Sequence, residues 1–211
     1  MKWLASIGLS GTVLALFAAV TSIAIGWTYL STEEQIEVAI RRAEAQQLLE
    51  IFPAGTHDNE LVDDTFSIAS NTALLGLREE RQGYRVRLSG QTVGVILPTT
   101  ARDGYRGDIR ALVGIRQDGS VAGVRVVAHR ETPGLGDKVE LRKSAWVLGF
   151  NDRNLSNPGL NRWSVKKEGG VFDQFTGATV TPMAVILATR RALEYATLNA
   201  EALFESAGDP S

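Results

Sequence analysis

The stretch "YRVRLSGQTVGVILPTTARDGYRGDIRALVGIRQDGSVAGVRVVAH", residues 84–129, decides the fold. Its first segment, "YRVRL", alternates side-chain character as a strand with one buried face does. "TVGVIL", "IRALVGI" and "VAGVRVVAH" follow as apolar, β-branched runs of strand length. Between them, Ser89-Gly90 and Asp118-Gly119 supply small residues that accept positive φ in tight hairpin turns. Hairpins join antiparallel strands, so the centre of the chain is an antiparallel sheet.

Working outward, helical patterns flank this sheet. Ile36, Ile40, Ala43, Gln47 and Ile51 fall near helical spacing, and "FPAGTHDN" stops that run with Pro and Gly. After His129 come a glycine-containing loop, a short helix near residues 143–149, and the loop "NDRNLSNPGLNRW". A short strand is predicted over 163–167 and a closing helix over 182–204. Strands flanked by helices make the class α+β. The stretch "HDNELVDDTFSIASNTALLG", residues 57–76, carries no recognisable motif, and the chain has no internal repeat.

Residues 3–32 contain no charge and are mostly Leu, Ala, Val, Ile, Gly and Phe. As a helix at ~1.5 Å per residue the run exceeds a ~30 Å hydrocarbon core. A cleaved signal peptide would have a shorter apolar region, ~7–15 residues, whereas here the run continues through Ile25, Trp27, Tyr29 and Leu30. Trp3 and the Trp27/Tyr29 pair suit the two membrane interfaces. The reading is one retained span, with the short Lys2-bearing N-terminus inside and the remainder extracytoplasmic. The organisation expected is a transmembrane helix over 1–31, a helical linker and the start of the soluble domain over 32–82, and the main domain over 83–211.

Composition excludes several classes. Lys and Arg number 22 against 24 Asp and Glu, so there is no basic excess for nucleic acid. The chain has no cysteine, which removes disulfides, thiolate catalysis and Cys-ligated iron–sulfur clusters. Its two histidines, His57 and His129, lie far apart, and no metal site is expected.

The sequence "DQFTGATVTP", residues 173–182, crowds small and hydroxyl residues at the entrance of the last helix. Pro182 suits the first helical position and Thr181 the N-cap. Thr179 then stands just outside a helix N-terminus, where unpaired N–H groups and the positive dipole end favour phosphate. Gly177 and Ala178 leave space around the backbone. Physical chemistry leaves two uses open here: a capped turn, or a held phosphate.

Asp173, Thr176, Gly177, Ala178 and Thr179 match the pattern D-x-x-[ST]-G-A-[ST]. This resembles the acceptor site for covalent FMN in bacterial membrane electron-transport subunits. A second motif, "HRETPGLGDK" over 129–138, is similar to the glycine loop of the same FMN-binding domain. With the N-terminal span and the strands, most of the chain resembles the G-subunit family of Rnf (Rsx) ion-translocating electron-transport complexes. The C subunit of the sodium-pumping NADH:quinone reductase shares both motifs and is usually longer.

The resemblance implies an FMN joined through its phosphate to Thr179 by a separate flavin transferase. It implies electron transfer between neighbouring redox subunits at a bacterial inner membrane, with the domain on the periplasmic side. It brings Thr132, Gly134, Leu135 and Gly136 against the flavin, with Lys138 near the ring and Glu131 orienting Lys138 or the loop backbone. Trp146 would border the ring, and Asp173 would serve recognition or brace the turn. Gly134-Leu135-Gly136 is not a dinucleotide fingerprint, because Val139 stands where G-x-G-x-x-G requires glycine. The competing class is a membrane-anchored binding or assembly module without redox chemistry, using "TGATVTP" only as a cap.

Overall fold

The computed structural model describes residues 2–204. Helix α1 runs Lys2–Ile51. Its best 18-residue window has a mean hydropathy of 1.9 and no buried residue, so it is long and apolar enough to cross a membrane. Trp27 and Tyr29 are exposed on it; the side chain of Trp3 lies outside the described residues. The chain divides into two compact units between Glu44 and Ala45.

The second unit is built on a five-stranded sheet in the order β1-β2-β3-β4-β5. The strands are β1 Thr65–Ile68, β2 Arg81–Leu88, β3 Gln91–Ala101, β4 Ile109–Arg116 and β5 Val121–Ala128. Every neighbouring pair is antiparallel. Ser89 at φ 53° and Gly90 at φ 78° close the β2–β3 hairpin, joining Leu88 directly to its partner Gln91. Two left-handed residues in a row match the twist of the flanking strands.

Helix α2, Val180–Leu198, covers one sheet face, and the last turn of α1 reaches the other. Val95, Leu97, Val113 and Ile115 join Ala184, Ile186, Ala188 and Leu193 in the larger core. Val86, Ile96 and Leu112 join Leu48, Ile51 and Phe52 in the smaller one. Burial on both faces explains why "TVGVIL" reads as an unbroken apolar run. Gly94 and Gly114 open the second face: a Cβ on Gly94 would lie 2.5 Å from Phe52, and one on Gly114 2.1 Å from Ile51.

Three details depart from the sequence reading. Edge strand β1 lies within the motif-free stretch. Residues 163–167 form no strand: Val165 makes an isolated bridge to Phe172, and a 3-10 turn takes Lys166–Glu168. The alternation there comes from Trp163 and Val165 burying beside Phe150 and Phe172. The closing helix is broken at Asn199, whose side-chain amide donates to the Tyr195 carbonyl at 2.8 Å. Helix α3, Ala200–Phe204, follows.

Candidate functional site

The site is assembled from the entrance of α2 and the loop after β5. Phe175 to Ala178 form a tight turn, with the Ala178 N–H donating to the Phe175 carbonyl at 3.1 Å. Gly177 holds φ +80°, which a side chain would resist. Thr176 and Gly177 are exposed, and Ala178 and Thr179 half-buried.

The helix begins earlier than its sequence indicated. Val180 is the first helical residue and Thr179 the N-cap, with Thr179 itself at φ −85°, ψ −32°. Thr181 is therefore not the cap, and Pro182 stands in the first turn rather than at its first position. Proline is tolerated there because first-turn amides have no intrahelical acceptor in any case. The Thr179 side chain makes no capping hydrogen bond. Its hydroxyl thus stands at the positive end of a 19-residue helix without a capping duty.

Thr181 has a different role. It is 1% exposed, and its hydroxyl donates to Glu131 Oε2 at 2.5 Å. The other oxygen of Glu131 accepts from the backbone N–H of Arg106 at 2.9 Å. Glu131 is itself buried, so these two donors replace lost water. Glu131 does not orient Lys138, as the sequence reading allowed; it ties the loop after β5 to α2 and to the loop before β4. The Glu131 N–H donates in turn to His129 Nδ1 at 3.0 Å, and the other ring nitrogen of His129 lies 2.6 Å from Glu140 Oε1. With Nδ1 accepting, Nε2 is the ring nitrogen that donates, directed at Glu140. The Arg142 guanidinium beside Glu140, followed by His129, holds the Glu140 carboxyl below the usual carboxylate range against the opposing effect of burial.

The glycine loop packs directly on this strut. Leu135 and Gly136 both donate backbone N–H groups to the Thr132 carbonyl at 3.1 Å, with Gly134 at φ +78° between. A Cβ on Gly136 would lie 2.9 Å from Glu131 Cβ, Glu131 Oε2 and Thr181 Oγ1. Leu135, 40% exposed, reaches towards the turn, its Cδ2 lying 3.5 Å from where a Gly177 Cβ would stand. Two segments far apart in sequence thus share one surface. Lys138, in the 3-10 turn Gly136–Val139, is half-buried and makes no ion pair among the described residues.

Trp146 braces the turn from its other end. Its indole N–H donates to the Asp173 carbonyl at 2.7 Å, and its ring packs edge-on against Phe175 at 5.0 Å. Asp173 pairs through its carboxylate with Lys166 at 2.6 Å, an exposed contact. Sequence reasoning missed Phe175, hidden at an unspecified position of the motif, and Arg106, which takes part through its backbone.

These residues fit a phosphate-linked flavin. Thr179 offers a hydroxyl free of capping, the first-turn amides of Val180 and Thr181 have no intrahelical acceptor, and Thr176 and Gly177 leave the approach open.

Residues 104–194 match the FMN-binding domain family, and residues 1–51 match the RnfG N-terminal region. The chain is 44% identical over 200 residues to the G subunit of the ion-translocating oxidoreductase complex of Pseudoalteromonas atlantica, covering 95% of this chain and 93% of that protein. It is 47% identical to the corresponding G subunit of Pseudomonas aeruginosa, covering 93% and 92%. The Vibrio cholerae G subunit is 44% identical, with 91% of each chain covered. With an FMN-binding domain behind an apolar N-terminal helix, the chain belongs to the family of G subunits of ion-translocating oxidoreductase complexes.

Proposed function

We propose that this protein is the membrane-anchored electron-transfer subunit of an Rnf-type complex, carrying FMN as a phosphodiester on Thr179. The observation that carries this reading is the division of labour among hydroxyls at the α2 entrance. Thr181 is buried and bonded to Glu131, whereas Thr179 stands at the N-terminus without a capping bond. A threonine hydroxyl does not ionise near neutral pH, so attachment requires a separate flavin transferase. The flavin supplies the electron chemistry; the chain holds it and tunes it. The helix dipole and the free amides of Val180 and Thr181 favour the phosphate. Leu135 and the loop around Gly136 form one wall, and Trp146 with Phe175 holds the turn in shape. Lys138, half-buried and without an ion pair among the described residues, favours a negatively charged reduced ring.

The apolar part of α1 anchors the subunit in the inner membrane among its neighbours, and the domain works on the periplasmic side. A covalent tether suits that side, where lost FMN would not be readily replaced. The test is coexpression with the transferase. The full chain is expected to be yellow and to keep its fluorescence on a denaturing gel, and Thr179→Val to lose both. A colourless wild-type chain under those conditions would favour an assembly module instead.

A further inference from the structure

A second surface lies behind the Glu131 strut. Arg106, Asp108, Arg110, Ala128, His129 and Arg130 line an open groove of about 360 Å³. Its walls come from different segments. Arg110, second in β4, pairs with Ala128 at the end of β5, Arg130 follows two residues on, and Arg106 is pinned by its backbone to Glu131. All three arginines are exposed. Among the described residues none of their guanidinium groups makes an ion pair or hydrogen bond.

Several arginines elsewhere in the fold find carboxylates instead. Arg87 reaches Asp64, Arg116 reaches Asp152, Arg125 reaches Glu50 and Arg190 reaches Glu194. The groove's histidine is occupied by Glu140. Asp108 is the single carboxylate in the lining, against three guanidinium groups. The whole chain carries a net charge of −2, so the cluster is not a by-product of a basic protein.

We propose that this groove docks a carboxylate-rich segment of a neighbouring protein subunit, a partner assignment that rests on the electron-transfer reading above. Guanidinium groups pair with carboxylates through two parallel N–H donors. The three guanidinium groups come from separate segments around one open trough, and their excess over Asp108 is a charge that a run of carboxylates complements. The position matters for function. The backbone of Arg106 and the hydroxyl of Thr181 bond opposite oxygens of one carboxylate, so a partner seated in the groove lies one side chain behind the α2 entrance.

The experiment uses the full-length flavinylated chain in detergent, titrated at low ionic strength with fluorescein-labelled hexaglutamate and followed by anisotropy. The double variant Arg110→Gln/Arg130→Gln is expected to bind about tenfold more weakly, and added salt to weaken the wild type. Asp108→Asn removes the one repelling carboxylate and is expected to bind more tightly, which keeps the test decisive if the double variant folds poorly. Equal binding by all three chains overturns the proposal. So does displacement of hexaglutamate by inorganic phosphate at matched charge, which assigns a small-anion site. A double variant that loses only its binding to phosphatidylglycerol vesicles assigns a lipid contact and also overturns it. In-gel flavin fluorescence is read on the same samples. Its absence from the wild type sinks the flavin reading and leaves the groove result intact.

Discussion

The two threonines at the α2 entrance should separate cleanly by experiment. In Thr181→Val the shape is kept and the hydroxyl donated to Glu131 Oε2 is lost. Glu131 is 5% exposed, so water does not readily replace that donor. A hydrogen bond to a buried charged group is worth ~1.5–3 kcal/mol. For a domain of this size ~1 kcal/mol moves Tm by about 2–4 °C, so a fall of about 3–12 °C is expected. Thr179→Val removes a hydroxyl with no capping bond, and its effect should stay within ~0.5 kcal/mol. Both are measured by thermal unfolding of the full chain expressed without the transferase, so that no flavin contributes. Flavin attachment is then read by intact mass after coexpression: lost in Thr179→Val, kept in Thr181→Val. Glu131→Gln completes a double-mutant cycle, with a coupling to Thr181→Val above the ~0.5 kcal/mol of independent sites. Equal Tm losses in the two threonine variants, or an additive cycle, would refute the assignment of Thr181 to the strut. Flavin mass that persists in Thr179→Val and vanishes in Thr176→Val would move the attachment site.

Lys138→Ala should leave the flavin attached and lower its reduction potential, by on the order of 1 kcal/mol or about 20 mV for a two-electron couple; redox titration normalised to flavin content checks it. Gly136→Val should disturb the flavin spectrum and destabilise the domain by ~1–3 kcal/mol, because its Cβ meets Glu131 and Thr181 at 2.9 Å; denaturant unfolding and the visible spectrum read the two effects separately. Protease added to spheroplasts should digest residues 33–211, and protection of that region would invert the topology. Glu140 is held below its ordinary range by Arg142 and His129. Its contribution to stability is therefore present above the usual carboxylate value of ~4.3 and is lost as pH falls through the lower folded value. Glu140→Gln should narrow the gap to wild type progressively over that acid window, as read by urea unfolding at a series of pH values.

Strands β2 to β5 were legible because two local signals coincide in each: an alternating pattern in β2 or a β-branched apolar run in the others, and a neighbouring hairpin turn residue that accepts positive φ. Strand β1 was not, because its reasons are tertiary. Asn59 donates to the Arg85 carbonyl at 3.0 Å and accepts from the Arg87 N–H at 2.9 Å, while Asp64 binds the Arg87 guanidinium at 2.6 Å. These contacts hold the segment against the edge of β2, and nothing in "HDNELVDDTFSIAS" advertises them as a strand signal. The α2 start was misread because proline suits any position in a helix's first turn, so Pro182 alone does not say which one it occupies.

The same limit explains how the crowded hydroxyls in "TGATVTP" are used. Local sequence treats Thr176, Thr179 and Thr181 as near equivalents, all small, polar and close to a helix entrance. The fold separates them through one long-range partner, Glu131, fifty residues before Thr181. That carboxylate draws Thr181 into the interior, and the buried bond fixes the rotation of the first helical turn. Thr179, two residues earlier, is left at the N-cap with an unused hydroxyl, and Thr176 stays on the exposed turn. A cap-only role would call for a side-chain oxygen bonded to the first-turn amides, and Thr179 makes no such bond. The strut also bears on the glycine loop, since Gly136 packs against both of its members. Any change that shortens, bends or removes Glu131 should therefore shift the loop and the helix entrance together, with the acceptor threonine carried along.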